Sequence, residues 1–70
     1  MRIDKYLSYV AENGGGDLIL SKDGDHFRAR IVRGGEDAEG SVAVEIARRC
    51  RIDIVQVLVE SLVAQLNQNK

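Results

Sequence analysis

Two hydrophobic rhythms alternate along this chain. Ile3, Tyr6, Leu7 and Val10 recur at helical spacing, with Arg2, Lys5, Ser8 and Glu12 between them. They predict an amphipathic helix over residues 2–12, with Tyr6 in the core and Tyr9 at its rim. Asn13-Gly14-Gly15-Gly16 ends it, because Asn and Gly accept left-handed backbone. The glycine triplet reads as a flexible connector. It is not a phosphate cradle, since no Lys-Ser/Thr follows it and a strand comes next.

From residue 17 the rhythm shortens to two. Asp23-Gly24 between alternating residues is a strong hairpin signal, and a type I′ turn over these two residues sets the pairing. Lys22 then faces Asp25, followed by Ser21–His26, Leu20–Phe27, Ile19–Arg28, Leu18–Ala29 and Asp17–Arg30. Leu18, Leu20, Phe27, Ala29 and Ile31 share one face, and Asp17, Ile19, Ser21, His26, Arg28 and Arg30 the other. Residues 34–40 read as a polar loop.

Residues 41–51 support two readings. As a strand, Val42, Val44 and Ile46 face the core, and Glu45 neighbours the hairpin arginines. As a helix, Ser41 is the N-cap of a stripe through Ala43, Ile46, Ala47 and Cys50. Residues 53–67 form a clearer helix, with Asp53 and Gln56 as a capping pair. Ile54, Val55, Leu58, Val59, Leu62 and Leu66 make its stripe. Val57 and Val63 are read as lying outside it, which marks them as a possible oligomer interface.

The expected fold is a single α+β domain over residues 1–70: helix, three-stranded antiparallel sheet, helix (α-β-β-β-α), with both helices on one sheet face. The alternative is α-β-β-α-α, a hairpin with three helices. Seventy residues make one small core with no disulfide or metal to staple it, so self-association or a partner would add stability. A hydrophobic content of 44% with 30% charged residues is that of a soluble globular domain. No apolar run reaches the ~18 residues of a membrane span and no signal peptide is visible, so a cytoplasmic location is expected.

The net charge of −1 gives no overall pull toward nucleic acid or anionic membrane. The arginines cluster, however: Arg28, Arg30 and Arg33 along the hairpin, and Arg48, Arg49 and Arg51 further on. His26 is the only histidine, and Cys50 stands alone among arginines. No pair of carboxylates, nucleophile with a base, or metal-ligand set emerges, so no enzyme activity, cofactor, metal or small-molecule substrate is expected.

Three resemblances bear on function. Ile46-Ala47, Ile52-Asp53 and Val57 resemble the skeleton of a helix-turn-helix over residues 42–66. Arg51 stands where glycine is usual, and the recognition helix would be apolar and acidic. The α-β-β-β-α order resembles double-stranded RNA-binding domains, without their basic start to the last helix. Lys5-Tyr6-Leu7-Ser8, Arg28-Ala29-Arg30-Ile31 and Gly40-Ser41-Val42 are similar to small phage anti-CRISPR proteins of the type I-F class. That resemblance implies a sheet backed by helices and a function exerted by plugging a protein surface, with Lys5 and Tyr6 carried over as contact residues. The expectation is a non-enzymatic module that binds protein through Ile19, His26, Arg28, Arg30, Arg48, Arg49 and Arg51, or associates with itself through Val57 and Val63 of the last helix. The alternative is a nucleic-acid binder, using the helix-turn-helix-like segment or the arginine-lined sheet face.

Overall fold

In the computed structural model, which describes residues 3–68, two glycine-led turns fold the middle of the chain into an antiparallel meander. Helix α1 (Ile3–Glu12) precedes strands β1 (Asp17–Asp23), β2 (His26–Arg33) and β3 (Glu36–Ala43). Helices α2 (Val44–Arg49) and α3 (Ile54–Gln68) complete the chain. The α-β-β-β-α order is present, and the short α2 is an addition to it. Arg2, placed on the first helix by its spacing, lies outside the described residues.

The first turn corrects the expected register. Asp23 pairs with His26, Lys22 with Phe27, Ser21 with Arg28, Leu20 with Ala29, Ile19 with Arg30, Leu18 with Ile31 and Asp17 with Val32. The loop is therefore Gly24-Asp25. Gly24 has φ of 59° and no non-glycine residue has positive φ. A type I′ turn over Asp23-Gly24 would force Asp23 into left-handed backbone, whereas leading with Gly24 confines that conformation to the residue without a Cβ. The shift is an even number of residues, so every side chain keeps its expected face.

The second turn overturns the expected loop. Gly34-Gly35 turns the chain at once, with Gly34 at φ of 60°, and β3 runs through the acidic stretch. Ile31 faces Ala38, Ala29 faces Gly40 and Phe27 faces Val42. Ala38 and Gly40 on this inner row are small where α3 lies on them: a Cβ at Gly40 would come within 2.8 Å of a Leu58 methyl.

The strand reading of residues 41–51 holds only as far as Ala43. Val44 begins α2, its N–H donating to the Asp25 carbonyl at 2.7 Å. Ala43, not Ser41, is the N-cap, and it makes no side-chain capping bond. Ile46 is 53% exposed rather than core-facing, and Glu45 pairs with Arg49 one turn along α2.

One core joins both long helices to the inner sheet face. Tyr6 and Val10 of α1, Ala29, Ile31 and Ala38 of the sheet, and Val55, Val59, Leu62, Val63 and Leu66 of α3 are all buried. Val63 is thus a core residue and not part of a free interface. It stands four residues after Val59, on the same side of the helix, and α1 packing beside α3 covers the wide apolar arc within one chain. Val57 is the member of that pair left partly open, at 41%.

The glycine connector is also more ordered than its composition suggests. The Arg33 guanidinium donates to the carbonyls of Gly15 (3.0 Å) and Asn13 (3.3 Å) and to the Asn67 side-chain oxygen (2.6 Å). Asn67 donates in turn to the Asn13 carbonyl at 3.2 Å. Gly14 lies so close beneath this guanidinium that a Cβ there would sit 2.7 Å from it.

Candidate functional site

Because the core takes one face of the sheet, the other is left in water. Cross-strand rows on this outer face follow from the register: Asp17–Val32–Asp37, Ile19–Arg30–Glu39, Ser21–Arg28–Ser41 and Asp23–His26–Ala43. Ile19, at 50% exposure, sits beside Arg30. Arg30 donates two hydrogen bonds to one Asp37 carboxylate oxygen, at 2.8 and 3.1 Å. Arg28 approaches the Asp23 carboxylate only to 3.6 Å, an ion pair without a hydrogen bond. The register shift sets Ile19 in place of Asp17 opposite Arg30 and Phe27 in place of Asp25 opposite Lys22, and Arg30 takes its carboxylate from β3, at Asp37.

The structure divides the remaining candidate residues. His26 and Arg48 meet across an open groove of about 700 Å³ between the first turn and α2, with Lys22, Asp25 and Glu45 also on its walls. Arg49 leans on Glu45 at 2.8 Å, and Arg51 is exposed in the link between α2 and α3. The five arginines and His26 therefore form an outer-face pair, a groove edge, and a helix end with the link after it, not one continuous basic patch.

The helix-turn-helix reading meets a specific obstacle. Its recognition helix would be α3, whose Val55 and Val59 are buried in the core and whose Gln56 side chain donates to Glu60. The first turn of α3 also lacks the basic residues of an RNA-binding helix. Of the two residues carried over from the anti-CRISPR resemblance, Tyr6 is buried and Lys5 is engaged with Asp53.

That engagement is a cluster the sequence did not announce. The Tyr6 hydroxyl donates to Asp53 Oδ2 at 2.6 Å, and Lys5 Nζ lies 2.6 Å from the same oxygen. Asp53 Oδ1 accepts from the Gln56 N–H at 3.1 Å, as expected of a helix cap. Burial alone would push the Asp53 carboxyl up. Hydrogen bonds from Lys5, Tyr6 and the Gln56 backbone, with the Lys5 charge, outweigh it and hold the group at about 2. Burial, then the hydrogen bond to Asp53 and its charge, push the Tyr6 phenol up to about 12. Both groups keep their ordinary charge state at neutral pH, so the cluster fastens α1 to α3 and holds no proton poised for transfer.

An apolar cleft of about 190 Å³ opens between Leu20, Phe27, Val55 and Leu58, with Lys22 at its rim. Small-molecule pockets usually run from about 300 Å³ upward, so this cleft suits a single side chain. Its residues were legible as core and not as a site, because only the tertiary structure shows where α3 stops covering the sheet. Among the described residues no group of three or more His, Cys, Asp or Glu side chains could hold a metal ion, and no helix is long and apolar enough to cross a membrane. No protein-family model, curated protein or solved structure matches the chain.

Proposed function

We propose that this is a non-enzymatic binding module that acts by protein–protein contact through the outer face of its sheet, in the manner of a phage-type inhibitor or regulator. The observation that carries the reading is the makeup of that face: exposed Ile19 and half-buried Val32 set among Arg28, Arg30 and four carboxylates. An arginine stem packs on apolar surface while its guanidinium takes a carboxylate, which is how arginine anchors protein interfaces. Arg28 is the freer of the two, with no hydrogen bond in its ion pair.

The same makeup disfavours nucleic acid. Asp17, Asp23, Asp37 and Glu39 stand among the arginines, and phosphates would have to displace carboxylates already in place. The test is capture from host lysate by the wild type and by the Arg28→Glu/Arg30→Glu double variant, with far-ultraviolet circular dichroism to establish folding. A protein bound directly by the wild type and lost by the folded double variant supports the reading. Equal binding by both, or a captured nucleic acid whose affinity falls steeply with salt, overturns it.

A further inference from the structure

The two edges of the sheet are unequally protected. An edge strand presents unpaired backbone groups, and charged side chains on it discourage pairing with another chain. β3 carries Glu36, Asp37 and Glu39 along its edge and runs directly into α2. β1 pairs only with β2; its charges, Asp17, Lys22 and Asp23, lie at its two ends, and its centre, Leu18-Ile19-Leu20, has none on either face. α1, the helix that touches β1, exposes Ile3 and Leu7, each at 42%.

From this asymmetry we infer that β1 pairs antiparallel with β1 of a second copy of this chain, about a two-fold axis at Ile19, to make one six-stranded sheet. Such an axis stands perpendicular to the sheet, so facing residues must come from the same face of each copy. Only alternate registers qualify, and charge chooses among them. Centring on Leu20 sets Asp17 against Asp23 and Leu18 against Lys22. Centring on Ser21 sets Ile19 against Asp23 and Leu20 against Lys22. Centring on Ile19 sets Ile19 against itself, Leu18 against Leu20 and Asp17 against Ser21, with no like charges opposed. In that register Leu18 of the second copy arrives beside Leu20, at the apolar cleft. The outer faces of the two copies also join, which places two Arg28–Arg30 pairs on one continuous surface.

Sedimentation of the full chain at micromolar concentration should give twice the monomer mass. Ile19→Lys places two ammonium groups face to face at the axis and should weaken the dimer about tenfold or more, with an unchanged circular dichroism spectrum. Cross-linking fixes the register. In a Cys50→Ser background, Ile19→Cys should form an intermolecular disulfide under mild oxidation, since facing Cα atoms lie within about 4.5–5.5 Å. Ser21→Cys should not, because its copies would stand about 13 Å apart along the strands. A wild-type monomer, a dimer that survives Ile19→Lys, or cross-linking from Ser21→Cys instead of Ile19→Cys overturns the proposal. The Arg28→Glu/Arg30→Glu variant should still dimerise, so failure of the binding reading and failure of this one are separable.

Discussion

On the inner face of the sheet Ile31 is fully buried, while on the outer face Ile19, one strand away, keeps half its surface in water. The inner face is built by size: Ile31, Ala29 and Ala38 are matched to the helices above them, and Gly40 is matched to Leu58. The outer face is built by sign, with exposed arginines beside exposed acids. Close packing makes every methyl group on the first face matter to stability. Exposed ion pairs contribute little, so residues on the second are free to be chosen for what they contact.

The largest effect should come from breaking the inner face. Ile31→Ala leaves a cavity between sheet and helices and should cost about 3–4 kcal/mol in chemical denaturation. A cost under about 1 kcal/mol would mean that this face is not the one that holds the fold.

An intermediate effect should come from the link between the two long helices. The folded Asp53 carboxyl is held below its usual 3.8, at about 2. Its contribution is therefore present above pH 3.8 and is lost as pH falls toward about 2. Asp53→Asn should cost about 1 kcal/mol at neutral pH, allowing for its partial exposure, and should flatten this part of the acid-denaturation profile. Superimposable profiles for wild type and variant would remove the cluster from the account of stability. The smallest effect belongs to the outer face: Arg30→Ala should change stability by no more than about 1 kcal/mol, and less at high salt, as the same denaturation measurement would show.

The inner face also marks where sequence pattern is legible. β1, β2, α1 and α3 declare themselves because large apolar residues recur at the period of each element. β3 does not, because Ala38 and Gly40 occupy the middle of its inward row, with the charged Glu36 before them, and only Val42 is a larger apolar residue there. Ala38 and Gly40 are small to let α3 approach, and small residues carry little hydrophobic signal. The register of the first hairpin depended on which residue would take positive φ, a choice between adjacent turns that alternation leaves open. Val63 looks free along the sequence because the sequence does not show that α1 lies beside α3. The face holding Ile19, Arg28 and Arg30 followed from alternation alone, whereas the partners of those arginines required β3 to be in place.

Tyr6 meets Asp53 near the start of each long helix, and Asn13 meets Asn67 near the end of each, so α1 and α3 run in the same direction. Their macrodipoles lie side by side with like poles adjacent, an arrangement that repels. The two polar clusters place the opposing charges: the Asp53 carboxylate stands at the positive ends, partly offset by Lys5, and the Arg33 guanidinium stands against the carbonyl-rich negative ends. Two ionised side chains twenty residues apart in sequence thus compensate both poles of a parallel helix pair, and their signs could not be exchanged without adding to the repulsion.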